Sequence, residues 1–417
     1  MDTKTLSVEK QQILQYIEEN KDSLITFVQE LVGIPSDNPP GDCQDIAEFI
    51  EGKLKGLNFK EVSLKEVPQE EVKAAGMIRA SNVIAYEVFG DSDFEITLNS
   101  HGDVVPPGLG WTQDPYGGNI VDGRIYGRGA AVSKSDIATF TFATLALRQL
   151  SDKLSGKISL AFTFDEETGG DIGPKWVLEQ GFVKPDMAIF PGFTYSLINA
   201  HNGCLHLEVK VKGKSAHAAE PQTGHDAIEA TTHLLQALYE HRKTLGEVVS
   251  EIPGIGTPKL TVGLIKGGIN TNVVPDECTI RLDRRMIPEE IPEQVEASLR
   301  QLLQDSVAGL EGIQVEVNRI LLANSFGPVP KDSALVQTIS ANWSEIMGGE
   351  LEVTGSPLYT DARHFYEAGV PVVLFGAGPK TLLEANGHRA DEHVLVDDVV
   401  KATKIVALSL FDLLQKK

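Results

Sequence analysis

At 417 residues the chain is long for a single hydrophobic core, so two domains are expected. Its formal net charge of -22, from 59 acidic and 37 basic side chains, argues against nucleic-acid and anionic-membrane partners, which demand clustered Lys and Arg. Cys43, Cys204 and Cys278 fall into no metal-ligand or redox spacing, which excludes a disulfide framework and suits a reducing compartment. Met1-Asp2-Thr3-Lys4 leads into charged amphipathic sequence without a signal-peptide core, and no apolar run nears the ~20 residues of a membrane span; the expected location is cytoplasmic.

From about Val8 to Val32, apolar residues recur at helical spacing (Ile13, Ile17, Leu24, Phe27, Val28, Leu31) and stop at Gly33 and the Asn38-Pro39-Pro40-Gly41 loop, predicting one helix. A helix from about Cys43 to Leu57 is followed by strands near Glu61 to Val67, Asn82 to Val88 and Phe94 to Ser100. Ile158 to Phe164 reads as a core strand, Pro174 to Glu179 as a helix and Ala188 to Pro191 as a strand. This alternation predicts an α/β sheet with helices on its faces. After Asn202-Gly203 the pattern becomes strand Leu205 to Val211, helix His225 to Lys243, strands Lys259 to Ile265 and Glu277 to Leu282, helix Glu290 to Val307 and strand Gln314 to Ile320. The order β-α-β-β-α-β is ferredoxin-like. An inserted domain at about 203–321 therefore interrupts a discontinuous domain of 1–202 and 322–417. The last stretch predicts a helix at Ala334 to Met347, a strand at Val370 to Phe375 and a helix at Val396 to Leu414, with a polar loop around His388.

Two apolar runs end in chemistry: Leu98 to Val105 carries Ser100-His101-Gly102-Asp103, and Phe162 to Glu167 ends in Asp165-Glu166-Glu167. Open α/β sheets place ligands at strand ends. His101 and Asp103 are two apart and share a face if extended, and an Asp beside a His orients a metal-bound imidazole. Glu166 and Glu167 diverge if extended, so that one could hold a metal while the other handles a water. Either triplet alone also reads as a turn or a solvated loop. Their joint occurrence at the ends of apolar runs singles them out.

These motifs resemble the zinc-dependent hydrolase family of aminoacylases, acetylornithine deacetylase, succinyl-diaminopimelate desuccinylase and glutamate carboxypeptidases. The resemblance spans nearly the whole chain. It rests on Ser100-His101-Gly102-Asp103-Val104-Val105-Pro106, Trp111 with Asp114-Pro115-Tyr116, Asp122-Gly123-Arg124-Ile125-Tyr126-Gly127-Arg128-Gly129, Asp165-Glu166-Glu167, Gly213-Lys214-Ser215-Ala216-His217-Ala218, Asn272-Val273-Val274-Pro275, Asp283-Arg284-Arg285 and Gly387-His388. It implies a zinc-exopeptidase-like α/β catalytic domain with an inserted ferredoxin-like α+β lid through which the chain would form a homodimer. It further implies His101, Glu167 and His388 as metal ligands, Asp103 steadying His101, Glu166 as general base, and His217 polarising the substrate carbonyl. Asn272 and Arg285 would hold the substrate, the planar donor fork of Arg285 suiting a carboxylate. His217 also reads as a turn histidine, and Arg285 as a structural partner of Asp283.

Two positions depart from the family. Its bridging Asp falls on Val132, and its loop acid, after the next strand, falls on Gly192. One Zn2+ (Mn2+ or Co2+ being alternatives) is then better supported than two, because catalytic zinc usually takes three protein ligands and a water. Asp136 is a candidate third ligand. It also reads as the third helical residue of a capping box led by Ser133, and both readings stand at this stage. Asp361 is a weaker substitute. The expected function is metal-dependent cleavage of an amide bond in a small N-acyl amino acid or peptide. The rival is a non-catalytic relative that binds a small carboxylate ligand; retention of Glu166 and Asp103 favours the enzyme.

Overall fold

The structure, a computed structural model, describes residues 6–416; the opening Met1-Asp2-Thr3-Lys4, expected to carry no signal peptide, lies outside the described residues. Two compact units emerge. One comprises the chain up to Asn199 with Val329–Val353 and Thr360–Lys417, the other Ala200–Pro328 with Thr354–Tyr359. The short segment 354–359 joins the second unit by backbone bonds, Gly355 N–H donating to Pro253 at 2.7 Å and Asn202 N–H to Ser356 at 3.1 Å.

A mixed eight-stranded sheet runs in the order Glu61–Glu66, Ser81–Phe89, Gly156–Thr163, Glu95–His101, Met187–Phe190, Val372–Leu374, Ser196–His201, Glu352–Ser356. Its centre is parallel. Glu95–His101 lies beside Gly156–Thr163 with His101 opposite Thr163, and beside Met187–Phe190 on its other edge. All seven residues of Glu95–His101 are buried, as a strand covered on both faces requires. The helix Ser135–Leu145 is buried along its whole length, and Val396–Leu414 packs against it. Because the two motif-bearing strands are parallel and in register, both chemical ends emerge at the same edge of the sheet.

The predicted single helix over Val8 to Val32 is two helices, Val8–Glu19 and Lys21–Val32. The break is at Asn20, whose amide group donates back to the Tyr16 carbonyl at 2.8 Å. That is the local competition with the helix ladder that makes Asn a poor interior residue. A ribbon of His393–Leu395, Arg124–Tyr126 and Ile120–Val121 was not foreseen. It pairs His393 with Tyr126 and so tethers the loop that carries His388.

In the second unit, an antiparallel sheet has the order Lys259–Gly267, Glu277–Met286, Gly203–Lys212, Gln314–Ala323. Helices Ala227–Leu245 and Pro292–Asp305 complete the β-α-β-β-α-β order. Leu205, Leu207, Val209 and Val211 point to the core with Leu234, Leu238, Ile280, Leu282, Leu299 and Leu303. The alternate residues face away from that core.

Candidate active site

The sheet's strand ends gather the sequence-predicted acids and His101. Gly102 N–H donates to Thr163 at 2.9 Å, continuing the ladder past His101. A Cβ on Gly102 would stand 2.6 Å from the Phe164 ring, so only glycine lets the two ends approach this closely. Beyond Asp165 the backbone turns into a short 3₁₀ segment, Glu166–Thr168. The two glutamates therefore do not diverge as an extended segment would make them. Ligand atoms of His101, Glu166 and Glu167 all lie within 4.8 Å of one another.

Asp103 holds this arrangement. Its Oδ1 accepts from the Glu166 N–H at 3.2 Å and its Oδ2 from the Glu167 N–H at 3.1 Å and Asn38 Nδ2 at 3.0 Å. His101 Nδ1 lies 3.0 Å from the Asp103 carbonyl oxygen and 3.4 Å from Oδ1. That leaves Nε2 as the ring atom able to meet a ligand. His388 Nε2 lies 3.3 Å from Glu167 Oε1. Asn38 went unnoticed in the sequence; its only signal was a polar residue opening the Pro39-Pro40-Gly41 turn.

The site carries an excess of buried negative charge. Burial, with the like charges of Glu167 and Asp103, pushes the Glu166 carboxyl up to about 7 against the pull of His101. Burial beside Asp103 likewise brings Asp165 to about 7. Asp361 is raised by burial and by Glu166 and Asp165, and its Oδ2 finds no hydrogen-bond partner among the described residues. Burial would depress His101, but contact with Asp103 and the charge of Glu166 outweigh it and hold its imidazole well above the ordinary value. Contact with Glu167 raises His388. A divalent cation fits this surplus of carboxylate charge; His101 and Glu167 belong to the converging group, and His388 touches it at Glu167.

A second cation finds no such fit at the departed positions. A Cβ on Gly192 would lie 2.6 Å from the Leu374 carbonyl carbon and from the Phe375 nitrogen. The surrounding loop is stitched to the segment after Val372–Leu374: Thr194 N–H donates to Gly378 at 3.0 Å, and Thr194 Oγ1 donates to Gly376 at 3.0 Å. Val132 offers no donor atom from its side chain. Asp136 is fully buried outside the converging group; its Oδ1 accepts from Ala377 N–H at 2.6 Å, and its Oδ2 has no hydrogen-bond partner among the described residues. The capping box fails as well. Ser133 has non-helical backbone angles and donates its hydroxyl to the His101 carbonyl at 3.2 Å, while the helix starts from Lys134 without a side-chain cap.

Within the second unit, His217 and Asn272 are brought together on a two-stranded ribbon. His217 pairs with Val273, and Ala218 N–H donates to the Asn272 carbonyl at 3.0 Å. His217 is exposed, and its Nδ1 accepts from Ala219 N–H at 3.1 Å. Arg285 lies on the four-stranded sheet, its Nε 3.0 and 3.1 Å from the two oxygens of Asp283.

The chain thus joins an α/β sheet, with carboxylates and an imidazole at its strand ends, to a ferredoxin-like unit, and its family and relatives make it a hydrolase acting on C–N bonds. Residues 97–412 match the peptidase family M20/M25/M40, and the chain belongs to that family. The succinyl-diaminopimelate desuccinylase of Wolinella succinogenes is 28% identical over 94% of this chain and 100% of its own length. The acetylornithine deacetylase of Myxococcus xanthus is 30% identical over 87% of this chain and 90% of its own. Human carnosine dipeptidase 1 shares the fold with a TM-score of 0.75 at 18% identity, covering 98% of this chain and 99% of that one. The M20 family metallo-carboxypeptidase of Sulfolobus solfataricus does so with a TM-score of 0.75 at 18% identity, over 94% and 99%. Among the described residues no helix is long and apolar enough to cross a membrane.

Proposed function

We propose that the chain hydrolyses the amide bond of a small N-acyl amino acid or peptide in the cytoplasm, using one divalent cation, zinc by preference, held by His101, Glu167 and His388. The observation that carries this reading is the convergence of His101, Glu166 and Glu167 within 4.8 Å, with Asp103 bonded behind them. The substrate class follows the names of the desuccinylase and deacetylase relatives. Bound there, the cation would supply Lewis acidity toward the scissile carbonyl and toward water.

The chain's own residues do the rest. Glu166, beside the proposed ligand Glu167 and within the converging group, is placed to accept a proton from the attacking water and return it to the leaving amine. Asp103 positions His101 and fixes the Glu166–Glu167 backbone, so neither carboxylate has to reorganise during the reaction. His217 would steady the oxyanion, while Asn272 and Arg285 would bind the substrate, Arg285 by its carboxylate. The homodimer proposed through the second unit is supported by its edge strand Lys259–Gly267, which leaves Leu264 and Ile265 exposed.

The test is a panel of N-acyl amino acids and dipeptides assayed before and after chelation and after return of zinc, manganese or cobalt. Hydrolysis lost on chelation and restored by one of these metals is expected. Turnover indifferent to chelation would refute the metal-dependent reading.

A further inference from the structure

On the face of the second unit's sheet that points away from the Leu205, Leu207 and Val209 core, Cys204 and His206 stand two residues apart on one strand. On the neighbouring strand Asp283 is directly opposite His206, and Arg285 is opposite Cys204. Cys204 Sγ is 3.7 Å from Asp283 Oδ1, and His206 Nε2 is 3.3 Å from Asp283 Oδ2. One ligand atom from each of the three residues lies within 4.8 Å of the other two.

These separations have a chemical meaning. A tetrahedral ion with bonds of roughly 2.0–2.3 Å sets its ligands about 3.3–3.8 Å apart. The two measured gaps, to the two different oxygens of Asp283, are of that order, and all three donors already stand within 4.8 Å of one another, so a small side-chain adjustment closes them on one ion. The sheet supplies the rigidity, because all three donors project from paired strands and none from a loop.

We propose that Cys204, His206 and Asp283 form a second site, with no ligand in common with the strand-end group, for a thiophilic divalent cation of the zinc type. Thiolate, imidazole and carboxylate together select zinc or cobalt over magnesium and calcium, which take all-oxygen shells. Binding breaks the Cys204 S–H bond and forms a metal–sulfur bond, the proton leaving to solvent, and takes His206 through Nε2 as neutral imidazole. Cys204 is fully buried, whereas His206 and Asp283 each keep 32% of the side chain exposed, so the ion enters from the His206 and Asp283 side. The fourth position is left to water. Arg285 is the built-in competitor: its guanidinium holds the same Asp283 carboxylate, and a cation there displaces it.

The site is tested by titrating the full chain with Co2+ and recording near-ultraviolet absorption, where a thiolate–cobalt charge-transfer band reports sulfur ligation. The oxygen and nitrogen donors of His101, Glu166, Glu167 and His388 produce no such band. We expect a band that saturates within two equivalents, because the strand-end site takes up cobalt without producing one, and that is displaced by zinc. It should disappear in Cys204→Ser, weaken at least tenfold in apparent affinity in His206→Gln, and tighten several-fold in Arg285→Gln, where the competitor is gone. His206→Gln changes a part-exposed side chain and guards against misfolding of the buried serine variant. A Glu167→Ala chain should keep the band, which separates this site from the one proposed for catalysis. No band in the wild-type chain, a band undiminished by Cys204→Ser, or an affinity unmoved by Arg285→Gln would overturn the proposal.

Discussion

Nε2 of His388 stands 3.3 Å from Oε1 of Glu167, joining a loop near the end of the chain to the central sheet. His388 holds a left-handed backbone, φ 61°, between Asn386 at 52° and Asp391 at 57°. Non-glycine residues in this region cost roughly 1–3 kcal/mol each, and such clusters mark functional loops. The loop is held by Asp391, whose carboxylate accepts from Thr112 N–H at 2.8 Å and Gln113 N–H at 3.1 Å. His388→Ala should therefore leave the fold intact and weaken zinc binding by more than about 100-fold, since it removes one of three proposed ligands. Competition against a chromophoric chelator measures this; unchanged affinity would remove His388 from the ligand set.

Asp103→Asn keeps the volume but replaces one carboxylate oxygen by an amide donor. The N–H of Glu166 or of Glu167 then loses its acceptor. We expect a loss of about 1–3 kcal/mol in stability from the unsatisfied amide. Metal affinity should fall about 10-fold as the carboxylate charge behind His101 is lost, while the backbone carbonyl at position 103 still meets Nδ1. Urea unfolding and metal titration of one preparation give both numbers.

Restoring the family's acid at Gly192 should fail. Its Cβ would meet the backbone of Leu374 and Phe375 at 2.6 Å, and backbone cannot swing aside. Gly192→Ala should already cost about 1–3 kcal/mol by overpacking. Gly192→Glu should lower Tm without adding an ion to the zinc content of the strand-end site, read in a Cys204→Ser background by elemental analysis. An added ion would show that the loop opens.

Asp283 predicts an acid-dependent term in stability. Burial would raise its carboxyl, but contacts with His206 and Arg285 outweigh that and hold it at about 2. The folded value lies below the unfolded one, so the ionised Asp283 stabilises the fold above about pH 4 and loses that contribution as pH falls toward 2. The Tm difference between wild type and Asp283→Asn, measured without added metal, should be largest near neutrality and close across that window. A difference constant with pH would assign the effect to packing.

Much of this was legible in the sequence because strand ends and turns leave local marks. The helices Pro174–Glu179, Ala334–Met347 and Val396–Leu414 lie at their predicted bounds. His101, Asp103, Glu166 and Glu167 stood out because buried runs end in them. What the sequence hid is relational. Nothing local says that Tyr126 pairs with His393, or that Asn38 reaches Asp103. Asp136 illustrates the same limit: its spacing from Ser133 fits a cap, yet the partner that claims it, Ala377, lies on a distant segment. Gly192 read only as a missing ligand, and the backbone that fills the space of its Cβ becomes visible only in three dimensions.

The central claim is that Glu166 acts as the base while other groups hold the metal. Glu166→Gln tests it directly, with turnover of the best N-acyl substrate and zinc content determined on the same sample. A fall in kcat of about 10²–10⁴-fold with zinc content and KM largely retained is the predicted result. Turnover within a few-fold of wild type at full zinc loading would contradict it.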